Sequence, residues 1–260
     1  MTDRRPADTA LTPPPDPAAR GEMTLLDHLE ELRSVVLQSL VAAAAGAAAC
    51  WFFSARLLDL LVRPLRLAGQ NVYFQQPAEA FVMRLKLAGA AGLLLVAPFV
   101  LWRVYRFVLP GLYRHERRVV TPVLTATVLL FYTGVAFAYV VMVPKVVAFM
   151  LGFGTAYMKP LIGIGPYFSF VARLCLAFGL MFELPLVVLA FSLMGLVTPG
   201  QLWRGWRYAL LIILFFSAVL TPPDVLSQLM MAGPVMLLYL GSVGVAHVVT
   251  RRRRLPGDGE

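Results

Sequence analysis

Residues 119–144 read VVTPVLTATVLLFYTGVAFAYVVMVP, bounded by Arg118 and Lys145. Those 26 consecutive positions hold no Asp, Glu, Lys or Arg. A helix needs roughly 17–25 apolar residues to cross a hydrocarbon core about 30 Å thick. This stretch meets that length. Outward from it, similar gaps recur: residues 34–55 give 22, 87–102 give 16, 208–223 give 16 and 225–250 give 26. Residues 174–203 give 30, interrupted only by Glu183. The chain is therefore read as an all-α integral membrane protein with six transmembrane helices. A β-barrel would show short segments of alternating polarity, which these are not.

Composition agrees. Of 260 residues 59% are hydrophobic and 14% charged, against about 45–50% and 25% in soluble domains. A soluble enzyme and a disordered chain are both excluded on these grounds. Cys50 and Cys175 sit in apolar runs and read as small buried hydrophobes. His28, His115 and His247 have no metal-type spacing, and no nucleotide loop, zinc-protease or nucleophile-elbow motif appears. No catalytic residue, cofactor, metal or nucleic-acid partner is expected.

The spans carry their own punctuation. The first is expected from about Val35 to Phe53, and the second extends upstream past Lys86 and ends near Trp102. The third begins at Pro122, a good first-turn residue, and ends at Pro144. The fourth runs from about Phe168 to Gly195, before Thr198-Pro199-Gly200. The fifth ends at Leu220 and the sixth covers about Val225–Val249. Sixteen residues reach only about 24 Å at 1.5 Å per residue. Pro222, Pro223 and Asp224 leave little chain for a connection, so spans five and six are read as a short pair joined by a tight Pro-Pro turn at the outer side. Such shortness is accommodated by local bilayer thinning or drawn-in water, or reflects a tilted neighbourhood.

Six spans put both termini on one side. That side would hold 15 of the 23 Lys and Arg residues, including Arg103, Arg106, Arg114, Arg117, Arg118 and Arg251 to Arg254. Both termini are accordingly placed in the cytoplasm. The outer loops would be 54–80 and 144–167, the second a Gly-, Pro- and aromatic-rich cap. Residues 1–21, with five prolines, read as a disordered tail. Residues 22–249 form the membrane domain, and 250–260 a basic cytoplasmic tail.

Few carboxylates lie near or inside the spans. Glu31 sits in Leu25-Leu26-Asp27-His28-Leu29-Glu30-Glu31-Leu32-Arg33, where helical spacing puts His28, Glu31 and Leu32 on one face. The stretch reads as an amphipathic collar at the inner interface, or as acids complementing a helix dipole. Glu116 is the only carboxylate in a basic loop, as an ion pair or as a seat for a guanidinium. Glu183, followed by Pro185, lies inside span four. It is either a structural hydrogen bonder or part of a polar pathway. Gln228 adds an in-membrane polar group in span six.

Taken together, His28-Leu29-Glu30-Glu31-Leu32-Arg33, the loop from Phe107 through Pro110 to His115-Glu116-Arg117-Arg118, Phe182-Glu183-Leu184-Pro185, and Leu220-Thr221-Pro222-Pro223-Asp224-Val225 with Ser227-Gln228 closely resemble the TatC family, the multispanning core of the twin-arginine protein translocase. Pro64 and Pro77-Ala78-Glu79-Ala80-Phe81 match more weakly. The resemblance covers about residues 22–249. It implies a Sec-independent translocase subunit of the bacterial cytoplasmic membrane. Such a subunit recognises twin-arginine signal peptides and, with TatA- and TatB-type single-span partners, exports folded proteins using the proton-motive force. It further implies a homo-oligomeric receptor complex. The matching signal-peptide positions are Glu31 and Glu116, with His28, Arg33, Phe107 and Pro110 nearby. Glu183 and Gln228 match in-membrane polar positions and Asp224 the outer turn. Leu240 stands where many members carry a Glu, which weakens any contact relying on that Glu. Two other classes stay open on the residues alone: an ion-coupled transporter working through Glu183, for which no inverted repeat is found, and an intramembrane enzyme, for which no nucleophile–base pair is found.

Overall fold

The computed structural model describes residues 25–108, 117–155, 157, 160–193, 195–220 and 225–253. The N-terminal tail, Pro110, Glu116, Pro222, Pro223, Asp224 and residues 254–260 lie outside the described residues.

Among the described residues ten α-helices follow in chain order: α1 Leu25–Trp51, α2 Ser54–Leu67, α3 Pro77–Val108, α4 Arg117–Phe137, α5 Val143–Leu151, α6 Ile164–Met181, α7 Leu184–Leu193, α8 Pro199–Arg204, α9 Trp206–Leu220 and α10 Val225–Arg253. Five stretches are long and apolar enough to cross a membrane, and α9 is a shorter apolar helix. The fold is therefore all-helical with six apolar elements, as the gaps between charges implied.

Several boundaries move. The third span does not stop at Pro144. A π-helical turn, Ala138–Met142, carries α4 straight into α5, so the span reaches Leu151. Pro144 is accommodated because it falls in the first turn of α5, where its missing N–H is no loss. The span itself begins at Pro122 as expected, although α4 starts earlier, at Arg117. The fourth span begins at Ile164 instead of Phe168 and is broken at Phe182–Glu183 between α6 and α7. Only the fifth element is short. The apolar part of α10 is a full 25 residues, so the sixth is not. The basic tail also continues α10 as far as Arg253.

Between 11 and 39% of each span's central window is buried inside the protein. The rest points outward, with Leu40, Leu129, Leu211 and Leu237 each more than 60% exposed. In water such a surface would aggregate, whereas in lipid it is solvated. The core is correspondingly thin. Leu65, Met83, Val143, Leu174, Phe178, Met231 and Val235 form its fully buried centre.

At the end opposite the termini, a two-residue parallel bridge pairs Val72 with Ile162 and Tyr73 with Gly163. The Glu79 carboxylate, in the first turn of α3, ties the same two loops. It accepts from the Gln75 N–H at 2.7 Å and from the Gly165 N–H at 3.3 Å. Amphipathic α2 buries Leu61, Val62, Pro64 and Leu65 and leaves Arg56, Asp59, Arg63 and Arg66 exposed. It closes at Gly69, whose φ of +72° lets Gln70 N–H reach back to the Leu65 carbonyl.

Prolines inside these helices leave carbonyls without their helical donor, four residues upstream. In a bilayer core no water is present to fill the gap. Pro98 orphans the Leu94 carbonyl, and the Tyr132 hydroxyl of α4 donates to it at 2.7 Å. Pro64 orphans the Leu60 carbonyl, which accepts from the Tyr139 hydroxyl, while Tyr167 serves the adjacent Leu61 carbonyl at 3.1 Å. Tyr239 likewise reaches the Leu202 carbonyl near the end of α8. Tyr132 and Tyr139 thus join two elements through carbonyls that proline has freed, and Tyr167 and Tyr239 do so through a carbonyl next to a freed one and a carbonyl near a helix end.

Tyr132→Phe should cost about 0.6 kcal/mol, at most about 1.7, by unfolding in detergent. In a Pro98→Ala background the same substitution should cost little, because alanine restores the helical N–H. An equal loss in both backgrounds would show that the hydroxyl acts elsewhere.

Candidate functional site

The candidate site begins with a helix seam. α1 and α3 run antiparallel and touch backbone to backbone where Gly46 meets Gly92. A Cβ added at Gly92 would overlap the Ala47 backbone, and one at Gly46 would lie 2.7 Å from the Gly92 carbonyl oxygen. Only glycine permits this approach, the small-residue packing favoured where lipid gives no hydrophobic drive between helices.

The seam sets the register towards the end that carries the termini. On α1, Glu31, Val35, Ser39, Ala42 and Gly46 follow at intervals of three or four and so share a face. On α3, Gly92, Val96, Val100, Arg103 and Phe107 do the same. Fifteen residues back from Gly46 is Glu31, and fifteen on from Gly92 is Phe107. The two therefore stand at one level, each half-buried, at the same end of the hairpin. Among the described residues the Glu31 carboxylate forms no ion pair. Arg33 is exposed on the flank of α1, and His28 is placed on its first turn.

The structure thus places Glu31 and Phe107, two of the residues singled out from the sequence, at one level of the α1–α3 pair. Pro110 and Glu116, the rest of that set, lie between α3 and α4 outside the described residues. Arg103, which the sequence offered only as a topology charge, lies one helical turn before Phe107. Its Nε is buried without a hydrogen bond among the described residues.

Residues 27–234 match the family described as "Sec-independent protein translocase protein (TatC)". The chain belongs to the TatC family. The Koribacter versatilis protein of that name is 37% identical over 258 residues, covering 94% of this chain and 95% of the relative. The Synechocystis protein of that name is 37% identical over 230 residues, covering 88% and 89%. The crystal structure described as "Twin Arginine Translocase Receptor- TatC" matches with a TM-score of 0.78 at 32% identity, covering 86% of this chain and 100% of that one. The chain is accordingly a multi-pass membrane protein of a translocase family.

The in-membrane polar residues of this TatC chain occupy separate places. Glu183 sits at the break between α6 and α7 with one carboxylate oxygen buried and unbonded among the described residues. The break is bordered by the rings of Phe137, Phe178 and Phe182. Thr127, also buried with an unbonded oxygen, is on α4. Gly134 of α4 abuts the Phe178 carbonyl, so Thr127, seven residues earlier on the antiparallel helix, stands near the Glu183 level. Gln228, in the first turn of α10, donates to the Leu214 carbonyl of α9 at 2.8 Å and joins the short helix to its neighbour. Leu240 packs half-buried against the core.

Sequence reasoning missed the tyrosine–carbonyl pairs and the glycine seam. Nothing local in the sequence paired Gly46 with Gly92.

Gly92→Val should lower the melting temperature in detergent by an amount worth about 1–3 kcal/mol. Gly89→Val is its control, because a Cβ there meets nothing within 4 Å. Equal effects would mean that the seam does not set the α1–α3 distance.

Proposed function

We propose that this chain is the receptor subunit of a twin-arginine translocase, holding the arginine pair of a signal peptide between Glu31 and Glu116 at the cytoplasmic end. The observation that carries the reading is the half-buried Glu31 carboxylate, which forms no ion pair among the described residues and is held level with Phe107 by the Gly46–Gly92 seam. Two carboxylates suit two guanidinium groups, each through two parallel charge-assisted hydrogen bonds. A lysine ammonium, a point charge without the planar fork, would satisfy neither geometry. Nearby arginines repel basic peptides in the wrong register. Phe107 offers an apolar surface beside the pair.

The rest of the reading follows from charge and family. Both termini lie in the cytoplasm and the chain resides in a bacterial cytoplasmic membrane, supported by the arginine bias. TatA- and TatB-type single-span partners join it, the short α9 and α10 offering one flank, in an oligomeric receptor complex. Folded proteins cross at the expense of the proton-motive force. The membrane domain is flanked by a proline-rich N-terminal segment and a basic C-terminal one.

Photocrosslinking of a labelled twin-arginine precursor to membranes tests this. Glu31→Lys combined with Glu116→Lys should cut capture at least tenfold, about 1.4 kcal/mol, with the melting temperature of the purified protein unchanged. A precursor with Lys-Lys in place of Arg-Arg should lose a similar factor on the native chain. Undiminished capture by the folded double variant would refute the recognition role.

A further inference from the structure

A cavity of about 470 Å³ opens among α2, α5, α6 and the last residue of α9, far from the Glu31 seam. Leu65, Val147, Leu151, Phe170 and Leu220 give it apolar walls, and Arg173 is the charged residue among those that line it. The volume falls in the range of about 300–1,000 Å³ that suits a small ligand.

Arg173 is in an unusual position. From charge spacing it marks the edge of span four, yet α6 starts at Ile164 and places Arg173 nine residues inside. That is about 13–14 Å along the helix axis. Its Nε donates to the Ser169 carbonyl at 3.0 Å, which turns the side chain back towards the Ile164 end, and the residue is exposed. A guanidinium on the outward face of a span is costly unless it meets water or an anion. A second observation concerns the bilayer around it. α9 has 15 residues, so it is about 22 Å long, and its final residue Leu220 lines the same cavity. A span that short draws the membrane surface inward. Headgroups are thereby brought down towards Arg173.

We propose that this cavity seats one acyl chain of a phospholipid against Leu65, Val147, Leu151 and Leu220, with the lipid's phosphate on the Arg173 guanidinium and the rest of the molecule in the bilayer outside. The planar fork matches two phosphate oxygens. The apolar walls demand a chain attached to that phosphate, which separates a lipid from a free anion. The site requires only that the chain spans a membrane. It does not depend on signal-peptide recognition, and its test uses no cargo in the binding step.

The full chain, lipid-depleted in detergent, is titrated with phosphatidylglycerol, phosphatidylethanolamine, diacylglycerol or inorganic phosphate, and read by native mass spectrometry and by melting temperature. One copy of either phospholipid should survive activation that strips the others, and should raise the melting temperature. Diacylglycerol should bind at least tenfold more weakly, and inorganic phosphate should have no effect. Arg173→Leu should weaken the retained copy at least tenfold, and Arg173→Lys should keep part of it. Leu220→Trp, which fills the cavity with Arg173 intact, should also expel it. If Arg173→Leu does not fold, the other two variants decide. Unchanged retention in folded Arg173→Leu, or in both Arg173→Lys and Leu220→Trp, would overturn the site. So would stabilisation by inorganic phosphate alone, or a photocrosslinker at position 220 that captures a precursor's apolar segment in membranes and never a lipid.

Discussion

Inside a bilayer, a carbonyl that loses its helical N–H has no water to turn to. The architecture is organised around that constraint. Proline breaks the ladder at Pro64 and Pro98, and tyrosines from neighbouring helices restore the missing donor. Gln228 and Tyr239 reach carbonyls of α9 and α8. These bonds link α2 with the third and fourth spans, α3 with α4, and α10 with both α8 and α9. A protein with so little buried apolar surface between its helices gains specificity from such bonds. A hydroxyl that has one carbonyl to reach admits fewer relative helix positions than a greasy face does.

The two ends of the molecule are built differently. Towards the termini, the glycine seam holds α1 and α3 almost in backbone contact and carries Glu31 and Phe107 to one level. The recognition reading rests on that rigidity, since a carboxylate is selective for a planar fork only if its own position is fixed. At the far end, α9 is a turn or more too short for the hydrocarbon, and an apolar cavity with an arginine on its wall opens beside it. On the readings proposed above, one end takes the charged ligand and the other meets a thinned bilayer.

Much of this was legible in the sequence. Charge-free runs located all six apolar elements, because burying an ionisable group in lipid is costly enough to leave a mark at almost every boundary. The marks misled where a charge is tolerated inside a helix. Arg173 displaced the start of the fourth span by four residues, and Pro144 ended the third span early because a π-turn and a first-turn position neutralised its effect. The site was legible as residue types: Glu31 and Phe107 were singled out from their motifs. What joined them was not, because register between two helices depends on which small residues meet. Gly46 and Gly92 are only two among many small residues in the first two spans. The roles of Tyr132, Tyr139 and Tyr167 were hidden for the same reason, each serving a carbonyl 38 to 106 residues away.

The short bridge between Val72–Tyr73 and Ile162–Gly163 also bears on biogenesis. Its strands are separated by nearly ninety residues, and Glu79 waits for Gly165 across 86. A ribosome adding about 5–20 residues per second takes roughly 4–20 s to cover that distance. During that interval the first hairpin resides in the membrane with its strand edge and its carboxylate unclaimed. Whatever shelters nascent segments at the insertion machinery must therefore guard this loop until the start of the fourth span, α6, emerges and locks it.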